Sequence, residues 1–300
     1  MKKLVWFLIL TLIFLITLNN KEKILVYYNR YFESKNFIPS TLENNNYSRN
    51  YNFKYVSLTD NFLPNNKQDI MNIYYTVINS GMNEFTFYCK SEYENCINDV
   101  KDIANNQVTI SNINNFVHPY NGFKDLETEI DSIGKITIHL NRNYTDEMKT
   151  ILNYEIDKII DNNITNNMTA KEKIKTIHDY IINHTKYDEE RSDQNNIKYK
   201  SDTAYGAIIE GHALCGGYTD AMMLFLEKFN IKSYKIASEN HVWNYVYLDN
   251  KWYNLDLTWD DPVSKDGNNL LQYTFFLIDN DELLVLDQSE HKFDKTVYAE

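Results

Sequence analysis

Cys215, His241 and Asp256 have the types and the order to serve as nucleophile, base and orienter. The chain holds only three cysteines and eight glycines. Four of those glycines, Gly206, Gly211, Gly216 and Gly217, crowd around the thiol in GAIIEGHALCGGYTDAMMLFLEKF. A cysteine attacks as its thiolate, and it needs a neighbouring base that a third group orients. Taken by itself, Cys215 fits two descriptions: a reactive thiol, or a buried structural cysteine beside a glycine-containing loop.

The elements that must position these groups can be read from pattern. Tyr218, Met222, Phe225 and Phe229 recur at helical spacing, which puts Cys215 in the first turn of a helix with a buried stripe. A helix start offers free N–H groups and the positive end of the dipole, and both favour a thiolate. Glycine disfavours helix by about 1 kcal/mol against alanine. Gly216 and Gly217 together therefore imply a steric demand, read here as room for a substrate backbone beside the sulfur. Downstream, HVWNYVYL and KWYNLDLT alternate as strands around Asp249-Asn250, a two-residue turn. That register sets Leu248 opposite Lys251, Tyr245 opposite Asn254, Trp243 opposite Asp256 and His241 opposite Thr258. His241 and Asp256 then share a face as diagonal neighbours, about 7–8 Å apart and within side-chain reach. A carboxylate on a face lined by Trp and Tyr is destabilising unless paired. Here it would bond one imidazole nitrogen and leave the other for the thiol.

Composition and the remaining segments bound the answer. A net charge of −12 argues against a nucleic-acid partner. The chain opens MKKLVWFLILTLIFLITLNNKEK, two lysines followed by an apolar run over Leu4–Leu18 broken by two threonines. Residues 1–20 have the pattern of a signal peptide or a short membrane anchor, and no small-x-small cleavage site follows. Either role places the rest of the chain outside the cytoplasm, where thiols tend to pair. Cys89 and Cys96 are expected to be able to bridge, leaving Cys215 free; the alternative is three unpaired buried thiols.

Residues 21–50 are Asn-rich and read as a polar stalk. Residues 51–145 read as a small α/β domain: a helix stopping at Gly81, a strand in NEFTFYCK, a helix in SEYENCINDVKDIANN and a strand in KITIHLN. Residues 146–300 form the thiol-bearing domain. Its first helix is lined by Met148, Ile151, Leu152, Ile156, Ile159 and Ile160. The second opens with Thr169 and Glu172 at capping-box spacing and is lined by Ile174, Ile177 and Ile181. His118, before Pro119, reads as a turn residue; His178 and His184 read as structural or surface residues. Residues 188–202 read as a surface loop. No second ligand pair completes the His212–Cys215 spacing, so no metal and no cofactor are expected.

The motifs AYGAIIEGHALCGGYTDAM, NHVWNYVYLDNKWYNLDLTWDDP and YTFFLID, with KEKIKTIHDYIINHTKYD upstream, resemble the bacterial transglutaminase-like superfamily. The pattern is Cys at a helix start, then His-x-Trp-Asn, then Trp-Tyr and an Asp-x-Thr-Trp-Asp run. The likeness covers roughly residues 146–300 and departs at Gly216, where the family often has a polar residue. It implies an α+β fold with a papain-like core, helices packed on an antiparallel sheet, preceded by the small α/β domain and the hydrophobic segment. It implies Cys215 as nucleophile, His241 as base and Asp256 as orienter, with Asp260 and Asp261 lying past the match. The implied activity is acyl transfer on peptide or protein amides, with hydrolysis (peptidase or amidase) ahead of transfer to an amine. The rival classes are a catalytically silent binding module and a cell-surface scaffold in which residues 51–142 do the work. Expected partners are a peptide or protein substrate and, through the N-terminal segment, a membrane.

Overall fold

The computed structural model describes residues 2–36, 41–194, 197–263, 270–287 and 289–299. In chain order its elements are α1 (Lys2–Asn19), α2 (Lys21–Asn36), α3 (Lys67–Ser80), β1 (Glu84–Tyr88), α4 (Cys96–Asn105), α5 (Gln107–Asn114), β2 (Phe123–Ile130) and β3 (Lys135–Arg142). Then follow α6 (Asp146–Asn163), α7 (Ala170–His184), β4 (Lys186–Tyr187), α8 (Glu189–Gln194), β5 (His212–Ala213), α9 (Cys215–Lys228), β6 (Ser233–Ala237), β7 (Val242–Leu248), β8 (Lys251–Leu255), β9 (Phe276–Ile278) and α10 (Asn280–Leu286). Helices and antiparallel sheets make an α+β architecture. A three-stranded sheet runs β1-β3-β2, and a four-stranded sheet runs β6-β7-β8-β9.

Local chemistry sets the ends of the elements. Asn66 caps α3 by accepting from the Asp69 N–H, and Gly81 ends that helix in the left-handed conformation at φ 80°. Thr169 and Glu172 form the expected reciprocal capping box on α7, behind which Ile174, Ile177 and Ile181 are buried. On α6 the buried stripe is narrower than the sequence suggests: Met148, Leu152, Ile156 and Ile159 are buried, whereas Ile151 is exposed. Strand β2 escaped the sequence reading. FKDLETEI is mostly charged, and only its pairing along β3 makes it a strand.

The four-stranded sheet separates two apolar clusters. Trp243, Tyr245, Tyr234 and Ile236 pack with α3–α5, β1 and β3, while Val246 and Leu255 pack with α6, α7 and α9. The side chains of 51–145 thus share one continuous cluster with β6, β7 and the C-terminal residues Val297 and Tyr298. The segment expected as a stalk is helical over Lys21–Asn36, and its last residues join the folded body. The buried Arg49 guanidinium donates to the Ser233 carbonyl at 2.9 Å, and Asn79 bonds the Arg49 backbone twice.

No single helix among the described residues is long and apolar enough to cross a membrane. Val5–Asn19 and Lys21–Tyr28 meet that test only together, and they are bent by 72°.

Cys89 and Cys96 are joined by a disulfide with Cα atoms 5.7 Å apart, and Cys215 is free. Helix α4 starts at Cys96 itself, later than SEYENC suggests, because residues 91–95 must turn the chain back from β1. Both half-cystines are fully buried. Replacing both by alanine is expected to lower stability by about 2–3 kcal/mol, as for a short closed loop. A urea titration of the double variant beside wild type measures it.

Candidate active site

The site is assembled where one helix begins and one hairpin ends. Cys215 is the first residue of α9, and Leu214 before it is extended and provides no side-chain cap. The Gly217 N–H is taken by the Leu214 carbonyl at 2.9 Å, and no Leu214 side-chain acceptor caps the helix start. Cys215 is partly exposed. The glycines behind it answer a different demand from the one their sequence implied. A Cβ on Gly217 would stand 2.3 Å from the Ser201 carbonyl oxygen and 2.9 Å from the Ala213 Cβ. On Gly206 it would stand 2.4 Å from the Lys200 carbonyl oxygen. The 200–203 segment lies against the start of α9, and the Leu214 N–H donates to the Ser201 carbonyl at 2.9 Å. Gly217 thus makes room for the protein's own backbone and not for a substrate. Gly216 is less confined, with the Asp202 carbonyl oxygen at 3.3 Å.

The hairpin has the expected register: Leu248 pairs with Lys251 and Tyr245 with Asn254. Asp249 and Asn250 make the turn with φ 51° and 63°, as a two-residue primed turn requires. The ladder is shorter than expected. It closes at Asn244–Leu255, so Trp243–Asp256 and His241–Thr258 are not ladder pairs. Beyond Leu255 the chain leaves β7, and the Asp256 N–H donates to the Phe275 carbonyl at 3.1 Å. His241 precedes β7, held in a turn in which the Ser238 N–H donates to its carbonyl at 2.9 Å. Both residues sit just past the same end of the hairpin, where their side chains are free of the pleat and can meet.

There the three residues come together. His241 Nε2 lies 2.5 Å from Asp256 Oδ2, and the Cys215 thiol is near enough to the same imidazole to raise its pKa. With Nε2 engaged, Nδ1 is the nitrogen left for sulfur. The ring stacks on Trp243 at 5.7 Å and 17°, which fixes its plane. Trp243 is itself locked by its indole N–H donating to Asn254 Oδ1 at 2.9 Å. Helix and strand are cross-tied close by: Asn244 Nδ2 donates to the Thr219 carbonyl at 3.0 Å, and Thr219 Oγ1 donates to the Val242 carbonyl at 3.1 Å. These ties fix the first turns of α9 against β7.

Asp256 is almost wholly buried and accepts four hydrogen bonds. Oδ2 takes His241 Nε2 and, at 2.8 Å, His291 Nε2; Oδ1 takes the Thr258 and Trp259 N–H groups at 2.9 and 3.2 Å. Burial alone would raise this carboxyl, but the His241 charge and hydrogen bond, followed by those of His291, hold it far below the usual carboxylate range. Burial alone would likewise depress the His241 imidazole. The Asp256 charge and hydrogen bond, with a further contribution from Cys215, outweigh it and push the ring up to about 10.

Asp260 and Asp261 lie outside this trio, as the motif implies, yet each braces it. Buried Asp260 holds His178 Nε2 at 3.1 Å and accepts from the Phe275 N–H at 2.9 Å, tying the turn after β8 to α7. Asp261 accepts from the Tyr218 hydroxyl of α9 at 2.5 Å, and burial pushes its carboxyl up to about 6. His178 is therefore a fully buried structural residue. His118 accepts from the Tyr120 N–H at 3.0 Å in the turn before β2 and pairs with Glu227. His184 bonds the Ile208 carbonyl, and His212 bonds the Glu210 carbonyl and stacks on Tyr199.

His241, Asp256 and His291 offer three donor atoms within 4.8 Å of one another, the spacing of a metal site. Both ring nitrogens aim at one carboxylate oxygen at hydrogen-bond distance. Sequence reading missed His291 altogether, since it stands alone in a polar C-terminal stretch, 50 residues after His241.

Residues 158–257 match the family model of the transglutaminase-like superfamily, a stretch that contains Cys215, His241 and Asp256. Among solved structures, a TGase is similar over 46% of this chain and 44% of its own, at 20% identity and a TM-score of 0.35. A candidate cysteine protease from Cytophaga hutchinsonii is similar over 49% of this chain and 65% of its own, at 11% identity and a TM-score of 0.28. The chain thus spans less than two thirds of the length of either. No curated protein sequence matches it. The matched stretch runs from the end of α6 past β8, so the likeness to the transglutaminase-like superfamily is to this part of the chain.

Proposed function

We propose that this protein is a cysteine enzyme that transfers acyl groups from peptide or protein amides. The observation that carries the reading is the Cys215 thiol at the start of α9 beside an imidazole, His241, that the buried Asp256 holds at 2.5 Å. The thiolate attacks the amide carbonyl, and the C–N bond breaks as the His241 imidazolium gives its proton to the leaving amine. The resulting thioester on Cys215 passes its acyl group to water, drawn by His241 as base, or to a second amine. The Cys215 backbone N–H, at the uncapped start of α9, is a donor for the oxyanion. Water is the favoured acceptor because it is always at hand. The protein acts outside the cytoplasm, tethered or exported through its N-terminal segment; the buried Cys89–Cys96 disulfide supports an oxidising surrounding.

Cys215 is the one free thiol among the chain's three cysteines, so its chemistry can be followed without a known substrate. Iodoacetamide is expected to alkylate it rapidly at pH 6, and His241→Ala is expected to slow that reaction by about 10- to 100-fold. Superimposable rate–pH curves for the two proteins would remove the base from the thiol and the enzyme reading with it. A glutamine-containing peptide offered with and without hydroxylamine then separates the acceptors: ammonia release alone marks hydrolysis, whereas hydroxamate marks transfer to an amine.

A further inference from the structure

The C-terminal segment lies outside the transglutaminase-like stretch, yet it returns to the site. His291 is fully buried, and each of its ring nitrogens meets a carboxylate oxygen: Nε2 with Asp256 Oδ2 at 2.8 Å, and Nδ1 with Asp287 Oδ2 at 2.8 Å. A carboxylate only accepts, so each of these bonds calls on a ring N–H as its donor. Its remaining surroundings are aromatic: Trp243 and Trp259 edge-on at 4.8 and 4.9 Å, and Phe275 stacked at 5.0 Å. Among the described residues, the other titratable ring that meets it is His241, at 5.2 Å. Asp287 is fixed in turn by the backbone N–H groups of Ser289, Glu290 and His291, at 2.9 to 3.0 Å. Burial alone would raise the Asp287 carboxyl, but the hydrogen bonds from Ser289 and His291 hold it far below the usual range.

We infer that His291, backed by Asp287, is a positioning residue that clamps Asp256 at the same carboxylate oxygen that His241 bonds and supplies a second positive charge to it. The resulting array runs Cys215, His241, Asp256, His291, Asp287, with thiolate, imidazolium, carboxylate, imidazolium and carboxylate alternating in sign. Two consequences follow for the thiol. Without His291, Asp256 loses one of its four donors and can rotate away from His241. The site also loses a cation, so the thiolate is less favoured at any given pH. The inference deepens the enzyme reading above and rests on it.

The test uses the full chain and the alkylation of Cys215 by iodoacetamide across pH. His291→Gln retains a single donor and loses the charge, and Asp287→Asn leaves His291 without its anionic partner. In His291→Gln the pH of half-maximal alkylation is expected to rise by about one unit, with a smaller rise in Asp287→Asn. In wild type labelled with 15N-histidine, both His291 nitrogens are expected to read as protonated at pH 7. A merely structural role lowers the folded fraction but leaves the midpoint where it was. If His241→Ala alters the curve while His291→Gln and Asp287→Asn overlay wild type, this inference falls and the enzyme reading stands. If His241→Ala also overlays wild type, both fall. Should His291→Gln not fold, the midpoint in Asp287→Asn and the nitrogen signals of wild type decide.

Discussion

Asparagine in place of Asp256 is expected to lower turnover of a glutamine-containing peptide by about 10²- to 10⁴-fold and stability by about 3–5 kcal/mol. The side chains have the same shape, so the effect is one of hydrogen-bond arithmetic. Four donors converge on the carboxylate: His241 and His291 on one oxygen, the Thr258 and Trp259 N–H groups on the other. An amide has one acceptor oxygen and one NH₂ group. Whichever way it turns, two of the four donors face another donor in a buried site. If the NH₂ faces His241, the imidazole loses its orientation and its stabilising charge together. The pH dependence should change in a defined sense. The wild-type carboxyl is held far below its unfolded value of about 3.9, so its contribution is complete above that pH and fades as pH falls below it. His241 is raised, so its contribution is complete below its unfolded value of about 6.5 and fades as pH rises through the raised one. Urea titrations from pH 3 to 10 should show wild-type stability highest between those two unfolded values, with the pair's share missing in Asp256→Asn. Turnover within threefold of wild type would contradict the role given to Asp256.

Gly217→Ala is expected to lose about 2–4 kcal/mol of stability, far more than Gly216→Ala. The added Cβ at 217 would meet the Ser201 carbonyl at 2.3 Å, the Ala213 Cβ at 2.9 Å and the Thr203 carbonyl at 3.0 Å. Backbone lies on two of these sides, so the helix start and the 200–203 segment must separate. At 216 the nearest atom, the Asp202 carbonyl oxygen, is 3.3 Å away and needs to yield only a few tenths of an ångström. Part of that small strain is offset by alanine's better helix propensity, about 1 kcal/mol. Thermal or urea unfolding of the two variants measures the contrast. Equal losses would mean that the glycine pair serves something other than this packing. Because Cys215 is two residues from the clash, Gly217→Ala should also slow alkylation even where the protein remains folded.

The strongest local signals in the sequence correspond to elements that form for local reasons. The helix of 67–80 is bounded by the Asn66 cap and Gly81, and that of 170–184 by the Thr169–Glu172 box. The Asp249-Asn250 turn sets the register of β7 and β8, because two residues at positive φ leave one way to pair the flanking strands. The transglutaminase-like core was legible because its motifs combine residue type with spacing. Strand β2 was not, since its alternation of Leu126, Thr128 and Ile130 with glutamates is short, is broken by a register shift at Phe123–Asp125, and is completed only by pairing along β3.

By itself the sequence determined which thiol stands free at a helix start, which histidine and aspartate lie at the end of one hairpin, and that Cys89 and Cys96 are near enough to bridge. Those are consequences of short-range spacing along a helix, a turn and a loop. The tertiary structure alone decided that the ladder stops at Leu255, so that Asp256 turns out of the pleat toward His241. It alone decided that Gly217 yields its space to the Ser201 carbonyl, and that His291 returns from the C-terminal segment to bond the same Asp256 oxygen as His241. The partners in each case are far apart in sequence or set by packing, and no local periodicity records which distant group will fill a buried site.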